Sequence, residues 1–333
     1  MGVTIKDVAK EAKVSPSTVS RVIAGSDRIS DETKKKVNDA IKKLNYHPNV
    51  VARSLANKRT KVIGIVLPSE AEDLFKNPFF IYVMAGISQY AQKAGYYIMY
   101  SFFNTEEEGL GSVKNYINSN LADGIILTTV HTNDRCIGYL QEREFPFVVI
   151  GRPEDTEGVL WVDNDNFQAM YNVLSKLLLK GHKEIAFIGA KRELNVSKDR
   201  LGGYRQAHKM HGVPIDENIV IEVDDFREDL GYGAMKKILG SKKPTALVCT
   251  DDLLAFGANS YLTENNIKGI SVVGFNNTPL AEYQNPPLTS VDINAKELGY
   301  YAVKILADKL EKNIKSMHHI VETNLIERQS TEY

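Results

Sequence analysis

The sequence predicts an α/β body preceded by a small all-helical head, and three observations carry that expectation. From residue 61 onward, short continuous apolar runs such as Val62-Ile-Gly-Ile-Val-Leu alternate with stretches of helical spacing. That is the pattern of strands buried on both faces of a parallel sheet and covered by helices. Before residue 61 the apolar periodicity is helical only. Charge divides at the same place. Residues 1–60 hold 13 Lys/Arg against 6 Asp/Glu, leaving 28 and 36 of the chain's 41 and 42, so a net charge of −1 conceals a basic head and an acidic body. A polyanion is therefore the expected partner of the head alone.

The head reads as three short helices. Thr4 is a good N-cap with Asp7 three residues on as the capping acid. Ile5, Val8, Ala9 and Ala12 follow as one apolar stripe. Lys13-Val14 breaks the pattern, Ser15 caps a second helix, Pro16 takes the favoured first helical position, and Gly25 ends it. A third helix begins at Ser30, where Asp31 and Glu32 suit the positive end of its dipole. Val37, Ile41 and Leu44 close the core. Two helices joined by so short a turn match a helix-turn-helix, whose second helix enters the major groove. On that helix Val19, Val22 and Ile23 cluster on one side, and Ser17 and Arg21 share the other. Arginine is the side chain best shaped to grip guanine O6 and N7 in a fork. A merely solubilising polar face is the alternative for the same residues.

Between head and body, Asn49 can cap a stretch from Val50 to Asn57, too short to be a stable helix alone. Val50, Val51, Ala52 and Leu55 on it have nothing to pack against in a monomer. An ordinary linker is richer in Gly, Ser or Pro.

In the body the expected strands are Val62–Leu67, Tyr97–Phe102, Gly124–Val130, Phe147–Ile150, Glu184–Ile188, Val220–Val223, Ala246–Thr250 and Ser271–Phe275. Tyr82–Lys93, Phe167–Lys180 and Leu253–Glu264 have helical spacing. So many strands, with the pattern restarting near Asp163, imply two α/β lobes. Ligands of such sheets gather beyond the carboxyl ends of the strands.

Several function classes find no support. No apolar run approaches the roughly 20 residues of a membrane span. Met1-Gly2-Val3-Thr4-Ile5-Lys6 lacks the basic and apolar segments of a signal peptide. Cys136 and Cys249 lie far apart in apolar surroundings and read as reduced thiols in a cytoplasmic protein. The sequons Asn195-Val-Ser and Asn276-Asn-Thr are then chance matches. No G-x-S-x-G elbow, P-loop or H-E-x-x-H is present, so no enzyme, catalytic residue or cofactor is expected. His318-His319 lacks a nearby third ligand, so no metal is expected either. Gly202-Gly203 suits close helix packing. Glu106–Glu108 is a solvated helix start, and the adjacent acids Asp251 and Asp252 point apart.

Thr4-Ile-Lys-Asp-Val-Ala, followed by Val14-Ser-Pro-Ser-Thr-Val-Ser-Arg-Val-Ile, resembles the N-terminal signature of the LacI/GalR family of bacterial transcription repressors. The match runs almost unbroken from Thr4 to Leu55. The resemblance implies that Pro16, Ser17 and Arg21 read base edges, while Thr4, Ser15, Thr18, Ser20 and Tyr46 meet phosphate. Pro16 departs from the longer polar residues of many members, which shifts specificity onto Ser17, Arg21 and apolar contact. It also implies paired hinge helices in the minor groove, at Ala52 and with Leu55 as the wedge between bases.

For the body, the resemblance implies a periplasmic-binding-protein-like pair of lobes crossed by the chain near Val162, Ser290 and Thr323. The expected organisation is residues 1–47 as the helix-turn-helix domain and 48–60 as the hinge. Residues 61–162 with 291–323 then form the first lobe, and 163–290 with 324–333 the second. Phe79, Phe80, Arg200, Phe226, Asp251 and Asn276 match the effector-pocket positions; the alternatives are that Phe79 or Phe80 belongs to the core and that Asp251 only caps the following helix. An aromatic platform, a guanidinium and side-chain acceptors suit a sugar. Asn77-Pro-Phe-Phe, Asp163-Asn-Asp-Asn and Ser197-Lys-Asp-Arg look most like the maltose-operon repressors of Gram-positive bacteria, which implies maltose or a maltodextrin as effector. The whole then resembles a homodimeric repressor on a pseudo-palindromic operator, with dimer contacts around Ile81–Lys93 and near Asn266–Lys268. The alternatives are a sugar-binding module that never meets DNA, against which the basic head counts, or a relative governed by a protein partner or a purine corepressor.

Overall fold

The computed structural model describes residues 3–23, 25–47, 59–68, 77–190, 193–313 and 316–332. The chain forms two compact units, Met1–Thr60 and Lys61–Tyr333.

The first unit holds α1 (Ile5–Ala12), α2 (Pro16–Ile23) and α3 (Asp31–Lys43). Local chemistry sets each boundary. The Thr4 backbone N–H and hydroxyl both donate to Asp7 Oδ2, at 2.8 and 2.7 Å. Lys13 takes the left-handed conformation at φ +54° and its N–H closes the end of α1. Ser15 Oγ accepts the Thr18 N–H at 3.1 Å and starts α2. Ser30 Oγ does the same for α3 through Thr33. Val8, Ala9, Val19, Val22, Val37 and Ala40 form the core, with Ile41, Leu44 and Tyr46 packed partly against it. The exposed Lys43–Glu11 pair joins α3 to α1 at 2.7 Å, but a solvated pair is worth well under about 1 kcal/mol. Apolar burial is the main term.

The second unit contains two six-stranded sheets. The first is built from β1 (Val62–Pro68), β2 (Tyr97–Phe103), β3 (Gly124–Leu127), β4 (Phe147–Ile150), β5 (Leu160–Asn164) and β11 (His318–Val321), in the order β11-β5-β4-β3-β1-β2. The second is built from β6 (Ile185–Ala190), β7 (Val220–Val223), β8 (Ala246–Cys249), β9 (Ser271–Phe275), β10 (Thr289–Asp292) and β12 (Asn324–Ile326), in the order β12-β10-β9-β8-β6-β7. Pairing is parallel throughout except for β12, which runs antiparallel to β10.

Helices α4 (Pro78–Ala94), α5 (Glu106–Asn118), α6 (Arg135–Glu142) and α11 (Ala295–Leu310) go with the first sheet. Helices α7 (Asn166–Leu179), α8 (Asn195–His211), α9 (Glu228–Ser241) and α10 (Asp252–Glu264) go with the second. Backbone-to-backbone approach is close where glycines face a neighbouring helix. A Cβ on Gly86 of α4 would lie 1.8 Å from the Lys296 carbonyl of α11, and one on Gly203 of α8 would lie 2.2 Å from the Phe167 carbonyl of α7.

The chain changes sheet after Asn164, after Asp292 and after Val321. The first two changeovers fall two residues beyond Val162 and Ser290. Asp163 and Asn164 therefore belong to the first sheet, and Val291 and Asp292 to the second, which corrects the boundaries drawn from the sequence. β3 also ends at Leu127 rather than Val130, because the Thr128 hydroxyl donates to the Val66 carbonyl at 3.0 Å as the chain leaves the sheet. Strands β5, β10, β11 and β12 were not foreseen. Their segments, LWVDN, TSVD, HHIV and NLI, are short and polar at one or both ends.

Candidate functional site

On α2 the apolar side is buried through Val19 and Val22, which leaves Pro16, Ser17, Ser20 and Arg21 exposed together. Ser15 Oγ lies 2.7 Å from Ser17 Oγ and 2.9 Å from Thr18 Oγ1. The hydroxyls at the start of the helix are thus held in one cluster beside its N-terminal amides, where an anion is favoured. Thr4 differs, since its hydroxyl proton is already given to Asp7 and a phosphate would have to displace that bond. Tyr46 is half-buried against the core. The expected hinge helix Val50–Asn57, with Ala52 and Leu55, lies outside the described residues.

In the second unit, a cavity with an empty volume of about 730 Å³ opens between the lobes. Phe79, Phe80, Arg200, Phe226, Asp251 and Asn276, the six positions singled out in the sequence, all line it. All but Arg200, which lies within α8, sit at or just beyond an element end. Asn77 caps α4 by accepting the Phe79 N–H at 3.1 Å, which sets Phe79 and Phe80 edge-to-face at 5.1 Å on the wall. Asp251 caps α10 through the Leu253 N–H at 2.7 Å. Asn276 follows β9 at φ +103° and donates Nδ2 to Asp251 Oδ2 at 2.7 Å.

Arg200 is buried, and much of it serves the fold. Its Nε donates to Asn166 Oδ1 at 3.0 Å and Nη1 donates to the Thr250 carbonyl. Its guanidinium stacks 4.4 Å above the Phe275 ring. Burial pulls its pKa down to about 10 against the opposing pull of Asp251, Asp163, Asp252 and Asp199. It stays protonated at neutral pH. Burial, then the charge of Asp252, pushes Asp251 up to about 8. Burial likewise raises Asp163 and Asp252, each to about 6. The two adjacent acids do point apart: Asp252 accepts from Ser290 Oγ and the Thr278 N–H rather than facing Asn276.

Sequence reasoning missed the polar groups that tie the cavity to the crossovers. Asn164, at the end of β5, donates Nδ2 to the Ile293 carbonyl and to the Val321 carbonyl, both at 2.9 Å. One amide thus joins all three crossings, and Asn164 also lines the cavity. Asn166 Nδ2 donates to Asp163 Oδ1 at 3.0 Å and links this hinge to Arg200. The motif Asp163-Asn-Asp-Asn was visible, but nothing in it announced these bonds.

Other groups fall outside the cavity. His318 stacks on Trp161 and His319 on Tyr301, so the pair braces the β11 edge. Cys136 and Cys249 are buried free thiols. Burial pushes the first up to about 12 and the second well above its ordinary range, which keeps both protonated. Among the described residues no helix is long and apolar enough to cross a membrane.

A helix-turn-helix unit followed by a two-lobed unit with a cavity between its lobes defines the class: a DNA-binding head joined to a periplasmic-binding-protein-like body. Residues 4–49 match the family described as bacterial regulatory proteins, lacI family, and residues 174–331 match the periplasmic binding protein-like domain. The chain is 39% identical over 317 residues, covering 94% of each protein, to the HTH-type transcriptional regulator MalR of Streptococcus pneumoniae. A solved transcriptional regulator CelR–cellobiose complex superimposes with a TM-score of 0.76 at 29% identity, covering 98% of this chain and 99% of that one. The lac repressor dimer bound to operator superimposes at 0.85, over 99% of both chains, at 24% identity, a likeness of fold. The chain belongs to the LacI family of bacterial regulatory proteins. It is a DNA-binding transcription regulator and not an enzyme.

Proposed function

We propose that the protein is a repressor of sugar-utilisation genes that binds a pseudo-palindromic operator as a homodimer and takes maltose or a maltodextrin between its lobes. The carrying observation is the cavity. Its lining joins two edge-to-face phenyl rings to a buried guanidinium and several amide and carboxyl groups, the combination of apolar wall and few convergent polar groups that small-molecule sites present. Rings cover the C–H face of a pyranose, and the polar groups meet its hydroxyls. The names of MalR and of the CelR–cellobiose complex favour the same ligand class.

On the operator, Ser17 and Arg21 read base edges with apolar contact from Pro16. Ser15, Thr18, Ser20, Tyr46 and, once released from Asp7, Thr4 meet phosphate, while Ala52 and Leu55 of paired hinges enter the minor groove. Dimerisation is supported by apolar side chains left exposed on each lobe, Ile81, Tyr82 and Tyr97 on the first and Leu280 and Tyr283 on the second. An inducing sugar must bind the low-DNA-affinity state more tightly. A hundredfold preference shifts the balance by about 2.7 kcal/mol per site. A thermal-shift screen of maltose, maltotriose, cellobiose, glucose and hypoxanthine tests the reading. A raised melting temperature with a maltose-type sugar supports it, and a response to hypoxanthine alone, or to none of them, overturns it.

A further inference from the structure

After β9 the chain turns through Asn276 and Asn277, two consecutive residues other than glycine with positive φ, +103° and +46°. Backbone of this kind is strained and persists only where its surroundings over-determine it. On one side the turn meets the cavity. The Asn276 N–H donates to the Val291 carbonyl at 2.9 Å and its Nδ2 donates to Asp251 Oδ2 at 2.7 Å. Asn276 is half-buried and is the one residue of the turn on the cavity wall. Its Oδ1 accepts no hydrogen bond among the described residues.

Asn277 holds the turn on its other side. Its N–H donates to Ser290 Oγ at 2.9 Å and its Nδ2 donates to Asp292 Oδ2 at 3.2 Å. Its Oδ1 accepts from Nη2 of Arg328, just beyond β12, at 2.9 Å. Arg328 Nη1 donates to the Leu288 carbonyl at 2.8 Å, and the Arg328 N–H donates to Thr289 Oγ1 at 2.8 Å. The next turn of chain is pinned as well: Ser330 Oγ donates to the Val272 carbonyl at 2.6 Å and accepts the Thr289 N–H at 2.8 Å. The half-buried guanidinium thus gives its fork to a side-chain amide and a main-chain carbonyl rather than to a carboxylate. A planar fork spent on neutral acceptors supplies direction. Without it, Asn277 Oδ1 loses its donor and the strained turn loses a restraint.

We propose that Arg328 is a positioning residue for effector recognition: its fork fixes Asn277, Asn277 holds the positive-φ turn, and the turn presents Asn276 to the bound molecule. The carboxyl-terminal segment then shapes specificity, although none of its described residues lines the cavity. The proposal takes the cavity as the effector site, and the choice of maltose as probe rests on the sugar reading above.

The test is calorimetric titration with maltose, cellobiose and hypoxanthine of the full-length protein, Arg328→Met, Asn276→Ala and the double variant. A crystal structure of ligand-free Arg328→Met accompanies it. Methionine keeps the stem of the side chain and removes the fork. Arg328→Met is expected to weaken maltose binding about tenfold, but by less than about twofold once Asn276 is already Ala. An arginine that serves only the fold lowers the melting temperature and gives the same ratio in both backgrounds, and equal ratios overturn the proposal. In the crystal the φ angles at 276 and 277 should change and Asn276 Nδ2 should leave Asp251; an unaltered turn overturns the proposal too. If Arg328→Met fails to melt cooperatively, Arg328→Lys takes its place in the same cycle and in the crystal, since it keeps the charge without the planar fork. If cellobiose or hypoxanthine binds and maltose does not, the maltose reading falls and the two ratios are read on the probe that binds. If none of the three binds, the sugar reading falls and the crystal structure alone decides for or against Arg328.

Discussion

Replacing Asn164 by Asp changes one NH2 group to oxygen at nearly constant volume, in the side chain that joins the three crossovers. The Ile293 and Val321 carbonyls, both at 2.9 Å from Nδ2, lose their shared donor and face an added acceptor. Asn164, Ile293 and Val321 are all buried, so water does not replace it. A buried acceptor left unsatisfied costs about 1–3 kcal/mol. Two of them put the loss at about 2–6 kcal/mol, a large part of the 5–15 kcal/mol typical of a folded protein. The introduced carboxyl can recover one bond when protonated, so the deficit shrinks as pH falls. The single tryptophan, Trp161, sits in β5 three residues before the substitution and reports unfolding by fluorescence. Urea titrations of the unaltered and Asn164→Asp proteins at pH 7.5 and pH 5 should show the larger loss at pH 7.5. A loss below about 1 kcal/mol at pH 7.5 would refute the idea that this amide holds the crossovers together.

Arg21→Ala should cost roughly 1–3 kcal/mol on the cognate operator and little on random duplex; equal losses on both, measured by fluorescence anisotropy, would make Arg21 a phosphate contact. Gly86→Ala and Gly111→Ala are the same substitution on two helices and should differ in sign. The first forces a Cβ to 1.8 Å from Lys296 O, whereas the second meets nothing within 4 Å at an exposed position of α5. Thermal melts should show a loss of about 1–3 kcal/mol or more for Gly86 and a gain of up to about 1 kcal/mol for Gly111. Asp251 has a folded pKa of about 8, above the unfolded carboxyl value, so its contribution to stability is complete below about pH 4 and is lost as pH rises toward 8. Asp251→Asn should therefore gain on the unaltered protein by at most about 1.4 kcal/mol per pH unit between pH 5 and 8, and a constant difference in melting temperature across that range would contradict the assignment.

The head was the legible part because its signals are local. Thr4 with Asp7, Ser15 before Pro16 and Ser30 before two acids each fix a helix start within four residues, and the structure places the helices there. The cavity was legible where a residue sits at the end of a recognisable strand, as Asp251 does after β8. It was not legible where a side chain works over distance. The bonds of Asn164 span 129 and 157 positions, and that of Asn195 to Arg152 spans 43. Arg200 was foreseen as a ligand group, but its bonds to Asn166 and Thr250 were not. The crossover boundaries slipped by two residues because β5 ends in the polar pair Asp163-Asn164 and β10, TSVD, has a single apolar residue, Val291, before Asp292, so hydrophobicity gives little mark. His318-His319 reads from the sequence as a surface or strand-edge pair; it lies on the edge strand β11, whose extent was not marked because its rings stack on Trp161 and Tyr301, distant in sequence.

Sugar occupancy governing DNA affinity is most directly measured by selecting duplexes from a random pool with the full-length protein, with and without saturating maltose. Without sugar, a two-fold symmetric site should be enriched, and maltose should lower affinity for it by about a hundredfold. Enrichment of the same site at equal affinity in both pools would contradict control by maltose, and the absence of any enriched site would contradict the DNA-reading role of α2.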